Sequence, residues 1–493
     1  MCKIFLRSDK TFAKNVSAQN QCNTKTKFAK REYHSIFSGV ILQKNRNTIP
    51  FFREYYSKIA NFRLTSLRDT GNMRVKGRAR NAHQTMAKSL PYLKRSMASS
   101  IRRLSSLFPC ILLTGARQVG KSTLLREIMP KGMRFVSLDD VELAHEAQTR
   151  PLRFLERMGT PLLIDEVQYA PALFRAIKKV VDENRHPGMY WMTGSQRFQL
   201  MKGVSEGLPG RLGIVELDTM SQWEVLGKGG RVVPFNPESP SVKGAPLCER
   251  RELFKRILRG GYPELVMRPR LTAEDFFCGY LLSYVERDVQ ALSQVGNKSA
   301  FVKLMRSAAS RTGQQLVFSD LARDADVTPK TAKAWVSILE ASGIVSLVEP
   351  YYVNTSKRLV KAPKLYFMDT GLACWLNNIR SMDELENSPF LGALVETYAY
   401  GQLVRNYRNR GVTPEITYYR DSSGAEVDFL LQEGNTLYPL EVKASEYPHI
   451  SDLKHVKAIP PGRCKLAPGM VLCTAPKPQD LTHGATAFPI SAL

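Results

Sequence analysis

Gly115, Gly120, Lys121 and Ser122 stand at the spacing GxxxxGK[ST], inside the run Gly115-Ala116-Arg117-Gln118-Val119-Gly120-Lys121-Ser122-Thr123. That spacing suits the holding of phosphate groups. Glycine lets backbone N–H groups curl toward an anion, a helix start adds its positive end, the lysine neutralises the outer phosphates, and the serine hydroxyl can ligate Mg²⁺. The flanks agree: Ile111-Leu112-Leu113 reads as a buried strand before the loop, and an apolar helical pattern follows it. A chance Gly-rich turn ahead of a helix has the same wording, so the chemistry needs further groups to handle metal and water.

Pro161-Leu162-Leu163-Ile164-Asp165-Glu166 supplies them about forty residues on, as an apolar strand ending in two carboxylates. Asp165 is the candidate Mg²⁺ holder, and Glu166 the candidate base that polarises water for in-line attack on a γ-phosphate. ATP and Mg²⁺ are therefore the expected ligands and hydrolysis the expected reaction. Met189-Tyr190-Trp191-Met192-Thr193-Gly194-Ser195-Gln196 is another apolar strand ending in small polar residues. Thr193 and Ser195 are candidates to meet the γ-phosphate and the lytic water, or they mark a plain strand-end turn. Arg211 follows Gly210 and precedes a strand over 213–217. It suits an arginine finger or sensor, because a guanidinium stabilises charge on a transferring phosphoryl; a surface arginine in an ion pair has the same sequence.

Positioning these groups requires alternating strands and helices, the pattern of an α/β domain on a mostly parallel sheet. Residues 89–226 carry that pattern. Residues 227–249 hold several Gly and Pro with little periodicity and read as a linker. Residues 250–315 are mainly helical, with an apolar face in Tyr280, Leu281, Tyr284, Val285 and Val289. Residues 316–362 read as a winged helix-turn-helix: a helix with Ser319 as its cap, a turn, a second helix with Thr328 capping and Pro329 at its first position, then Gly343 as a stop before a strand. Lys330, Thr331 and Lys333 on that second helix are the candidate DNA contacts; a protein-binding or interdomain module is the other reading.

Residues 363–493 form a second α/β unit containing a further constellation. Glu396 lies in a helix, Asp428 begins the apolar run Phe429-Leu430-Leu431, and Glu441 and Lys443 share one face of the next strand because strand side chains alternate with period two. Two acids can bind a divalent cation while the lysine orients water, with Glu396 as a further acid near the metal. This resembles the restriction-endonuclease-like PD-(D/E)xK fold, although Val427 precedes Asp428 where the literal motif has Pro. A nuclease site and a degenerate fold used for docking or nucleic-acid binding both fit.

Over roughly residues 90–450 the chain resembles bacterial and archaeal AAA-superfamily ATPases of a two-part type, in which the ATPase is followed by a C-terminal region of uncharacterised function. The likeness rests on Gly-Ala-Arg-Gln-Val-Gly-Lys-Ser-Thr, Ile-Asp-Glu-Val-Gln and Thr-Gly-Ser-Gln. It also rests on the Gly261-Tyr262-Pro263 turn and the wording from Arg420-Asp421 through Phe429. The resemblance implies a P-loop sheet followed by winged-helix and nuclease-like parts, and a role as an ATP-dependent switch or motor coupled to a DNA- or protein-binding module. An ATP-gated nuclease and a nucleotide-regulated binding module with little turnover are the alternatives. Many such ATPases assemble as homo-oligomers in which a neighbour supplies an arginine, so Arg211 fits a role in cis or in trans.

A length of 493 residues predicts about three domains, and 43% apolar with 24% charged residues is a globular balance. The net charge of +26 is uneven: the first hundred residues hold 21 basic and 4 acidic side chains, leaving +9 for the rest. Residues 1–88 therefore read as a basic leader without autonomous structure. It is an upstream extension with the start at Met73 or Met86, an organelle transit peptide, or a nucleic-acid-binding arm. No apolar run is long enough to span a membrane. The eight cysteines include no CxxC pair, which argues against a disulfide framework or zinc knuckle and for a reducing, cytoplasmic setting.

Overall fold

Five short strands build the first sheet: β1 (Cys110–Thr114), β2 (Arg134–Ser137), β3 (Leu162–Asp165), β4 (Tyr190–Thr193) and β5 (Leu212–Glu216). All pair in parallel, in the order β2-β3-β4-β1-β5. β1, β3 and β4 are buried at every position, which is why they read as unbroken apolar runs rather than as alternation. The computed structural model describes residues 92–195, 208–285, 297–353, 362–482 and 484–493. The basic leader and Val289 lie outside the described residues. Among the described residues no helix is long and apolar enough to cross a membrane.

The second half begins with helices Arg250–Arg259, Pro263–Met267, Ala273–Tyr284 and Lys298–Ala309. Tyr280, Leu281, Tyr284 and Val285 are buried, as their spacing predicts. β6 (Gln314–Gln315), β7 (Val345–Val348) and β8 (Lys364–Phe367) form a three-stranded antiparallel sheet beside helices Phe318–Ala325 and Pro329–Ala341. Thr328 caps the second of these, its hydroxyl accepting from Thr331 N–H at 3.1 Å with Pro329 following. The first is a correction: it starts at Phe318 behind Val317, without a side-chain cap, so Ser319 already lies inside its first turn. Leu316 N–H bonds Pro363 O at 2.8 Å, and this sheet contact sets where the helix begins.

Seven strands complete the fold: β9 (Glu415–Arg420), β10 (Glu426–Glu433), β11 (Thr436–Lys443), β12 (Lys465–Leu466), β13 (Met470–Cys473), β14 (Gln479–Asp480) and β15 (Thr486–Pro489). β9, β10 and β11 form an antiparallel meander, and β11, β13 and β15 continue in parallel. Helix Leu391–Arg408 packs against β8 and β11. The stretch expected as a linker is pinned instead. Phe235 is buried, takes the side chain of Asn406 on its N–H at 2.9 Å and lies 5.6 Å from the ring of Phe488. A Cβ on Gly229 would fall 2.0 Å from Lys94 O. Gly229 there serves close packing rather than slack.

Candidate functional site

The loop after β1 leaves the sheet where β1 lies between β4 and β5, a position that opens a crevice at the strand ends. Two backbone positions need glycine. Gly120 sits at φ +91° at the start of helix Lys121–Ile128, and a Cβ on Gly115 (φ +138°) would lie 2.1 Å from Leu217 O. The Lys121 side chain is buried with its ammonium donating to Gly115 O at 3.0 Å and Ala116 O at 2.8 Å. It curls over the loop that a phosphate chain would enter.

Ser122, Asp165, Glu166, Thr193 and Ser195 converge here. Ser122 donates to Asp165 Oδ1 at 2.6 Å, and the Thr193 hydroxyl donates to the same oxygen. Thr193 Oγ1 also accepts from Glu166 N–H at 3.1 Å. It thereby ties the tip of β4 to both carboxylate residues at the tip of β3. Glu166 is in the left-handed region, φ +55°, a turn that swings its side chain out of the strand. Its Oε2 accepts from the Gln168 amide and from Ser195 Oγ at 3.5 Å. Gln168 is a buried polar neighbour that the motif reading passed over.

Arg211 is not brought to this place. It precedes β5, at the end of the strands opposite the phosphate loop, where its Nε bonds Asp182 Oδ1 at 2.5 Å. Five residues of strand, about 16 Å, separate it from the phosphate-loop end. The parallel register places Leu212 beside Cys110 at the start of β1 and not beside its end.

Glu396, Asp428, Glu441 and Lys443 form a second cluster. β10 and β11 pair with Phe429 opposite Leu440, which sets Asp428 and Glu441 side by side. Lys443 Nζ lies 2.7 Å from Glu441 Oε1, and Val442 N–H donates to Asp428 Oδ2 at 2.9 Å. A register shift between Val427 and Leu430 bulges β10 at Asp428 and turns its side chain toward helix Leu391–Arg408. Three groups that sequence reasoning missed complete the cluster. Lys364 Nζ lies 3.3 Å from Glu396, 2.7 Å from Glu426 and 3.6 Å from Asp428, and Tyr366 donates its hydroxyl to Glu396 at 2.5 Å. Burial, then the Asp428 carboxylate, push Glu396 up to about 8 and Glu441 up to about 7. On helix Pro329–Ala341, Lys330 and Lys333 are exposed, whereas the Thr331 hydroxyl is engaged with Thr328 at 2.9 Å.

Residues 108–226 match the AAA domain family. This stretch is similar to AAA domains and carries the phosphate loop described above. Residues 250–383 and 391–493 match two families each described only as a domain of unknown function. Uncharacterized proteins of Mycobacterium bovis and Mycobacterium tuberculosis are each 28% identical to the chain over 409 residues, covering 80% of it and 85% of theirs. Among solved structures, a Walker-type ATPase of Pyrococcus abyssi aligns with a TM-score of 0.39 at 16% identity, over 58% of this chain and 96% of its own. A RuvB variant of Thermotoga maritima aligns with a TM-score of 0.25 at 15% identity, over 51% and 85%.

The segment leaving β5 wires the AAA domain to the second half. Arg95, buried ahead of the domain, donates to Val119 O in the phosphate loop and to Asp218 O, each at 2.7 Å, and pairs with the buried Glu224 at 3.2 Å. Asp218 in turn bonds Arg408 at 2.9 Å, and Arg405 donates to Thr219 O at 3.0 Å. Both arginines lie on helix Leu391–Arg408, which also carries Glu396. The Gly260-Gly261 pair lets Asp369 reach the backbone: Gly261 N–H donates to its Oδ2 at 2.8 Å, and a Cβ on Gly260 would lie 2.3 Å from its Oδ1. The turn so held puts Pro263 at 3.7 Å from the Cβ position of Gly120. Nothing local in the sequence marks Arg95, because its partners Val119 and Asp218 lie 24 and 123 residues away.

Proposed function

We propose that the chain is a Mg²⁺-dependent ATP hydrolase whose nucleotide state is passed to its C-terminal half. The observation that carries this reading is the network in which Ser122, Asp165, Thr193 and Glu166 meet at the end of the phosphate loop. In it Lys121 turns its ammonium from the loop carbonyls to the outer phosphates. The hydroxyl–carboxylate pair of Ser122 and Asp165 is a hard oxygen donor set that fits Mg²⁺. When bound, Mg²⁺ neutralises charge on the phosphate oxygens. Glu166, its backbone fixed by Thr193, takes the proton from the attacking water, and Ser195 orients that water. Arg211 then acts only from a second copy of the chain. Coupling runs through Arg95, Asp218, Arg405 and Arg408 to helix Leu391–Arg408.

The output module reads as a winged helix, with Lys330 and Lys333 facing a partner, followed by a PD-(D/E)xK-like sheet; duplex DNA is the partner most directly tested. The site of Glu396, Glu426 and Asp428 is not read as a nuclease centre, because Lys364 already engages the acids that would hold a metal. The test is steady-state ATP hydrolysis by the full chain, with and without duplex DNA, beside Glu166→Gln and Lys121→Ala. Turnover lost in both variants supports the reading, and equal rates in all three overturn it. Stimulation by DNA assigns the partner as nucleic acid; indifference assigns it as protein.

A further inference from the structure

Lys364 is the most enclosed cation of the C-terminal cluster, with 3% of its side chain exposed. A buried ammonium is costly unless it is paired on several sides. Here three acidic side chains surround it: Glu426 at 2.7 Å and Glu396 at 3.3 Å within hydrogen-bond reach, and Asp428 at 3.6 Å. Further contacts engage the same acids: Asp428 Oδ2 takes the Val442 N–H, Glu396 Oε1, the oxygen facing Lys364, also takes the Tyr366 hydroxyl, Glu426 Oε2 faces Arg420 at 3.3 Å, and Glu441 Oε1 holds Lys443. A divalent ion needs about six oxygen ligands at about 2.0–2.6 Å. In this pocket it would sit within about 4 Å of the Lys364 ammonium and be repelled by it. Among the described residues no group of three or more His, Cys, Asp or Glu is arranged to hold a metal ion. The lysine comes from the segment 250–383, whereas the three acids belong to the segment 391–493.

We propose that Lys364 is the resident cation of this pocket. Its ammonium takes the place a divalent ion would occupy between Glu396, Glu426 and Asp428, so the intact chain binds no Mg²⁺ or Mn²⁺ there, and removing its charge turns the same carboxylates into a divalent-cation site. The inference is independent of ATP hydrolysis, which uses residues of the AAA domain.

The test is Mn²⁺ binding to the full chain without nucleotide, followed by electron paramagnetic resonance of free Mn²⁺. Wild type, Asp428→Asn, Lys364→Arg, Lys364→Met and the double variant Lys364→Met/Asp428→Asn are compared. Wild type, Asp428→Asn and Lys364→Arg are expected to give one common isotherm. Lys364→Met gains one further Mn²⁺ per chain, and the double variant loses it. A wild-type Mn²⁺ site that disappears in Asp428→Asn overturns the proposal. So does a Lys364→Met chain that melts cooperatively and gains no site. If Lys364→Met fails to fold, the wild-type against Asp428→Asn comparison still decides whether the intact chain holds a divalent ion at Asp428: a common isotherm supports the proposal and a site lost in Asp428→Asn overturns it.

Discussion

Arg95 and Glu396 show what a single buried side chain can be asked to do. Arg95 joins the phosphate loop to the strand exit and leaves Glu224 compensated in an apolar setting. Arg95→Met is expected to destabilise the chain by about 3–5 kcal/mol, the cost of stranding a buried charge, read from the denaturant midpoint; adding Glu224→Gln should recover part of it. Recovery of nothing would mean that the two residues do not act as a pair. Glu396 carries a pH dependence whose sign follows from its environment. Burial and Asp428 raise its folded value to about 8 from an ordinary 4.5. The folded chain therefore binds a proton that the unfolded chain releases, so this group's contribution to stability falls as pH rises from about 4.5 to about 8. Glu441, raised to about 7, acts in the same direction. Wild type should lose more stability than Glu396→Gln between about pH 5 and pH 8; parallel unfolding curves for the two would count against a proton held at Glu396. Of these residues the sequence marks Glu396 by its helix and its distance from later acids, but not Arg95, Lys364 or Glu426. Their partners are set by packing, not by spacing.

The phosphate loop and its strands are legible because each local rule points the same way: apolar runs for fully buried parallel strands, glycine where φ is positive, a polar strand tip where the sheet opens. The contact behind Gly115 is not legible, since it involves Leu217 about a hundred residues on. With 2.1 Å to Leu217 O, Gly115→Ala must push β1 and β5 apart at their ends or displace the loop. It is expected to lose ATP binding and also to cost about 1–3 kcal/mol, the range of an overpacked site. Lys121→Ala should lose ATP binding while keeping most of the stability. Equilibrium unfolding and nucleotide titration of both variants separate strain in the loop from loss of its charge; equal stability of the two would remove the steric argument. The pinned segment 227–249 makes the complementary point. Its composition matches a linker, yet Gly229 and Phe235 are fixed by Lys94 and Asn406, and no periodicity announces a close approach by distant backbone.

At the scale of the molecule, the order of parts can be read from the chain, but the position of Arg211 relative to the phosphate loop requires the register of the sheet. β5 runs parallel to β1 and begins beside its start, so Arg211 and Glu166 lie at opposite ends of the sheet. An arginine at one end of the sheet and the proposed water-activating carboxylate at the other suit a head-to-tail contact, in which the edge of one copy meets the crevice of the next and rotation closes a ring. On that arrangement Arg211→Ala should lower turnover without weakening ATP binding, because the guanidinium acts on charge that develops during transfer. Each variant of the pair Arg211→Ala and Glu166→Gln should be nearly inactive alone. Mixed, they should recover turnover, since a chain retaining Glu166 then receives Arg211 from a neighbour retaining it. A mixture as inactive as its components would confine Arg211 to its ion pair with Asp182, and wild-type activity in Arg211→Ala alone would confine it there too. Recovery that rises with protein concentration would further show that the hydrolytic site is completed by assembly.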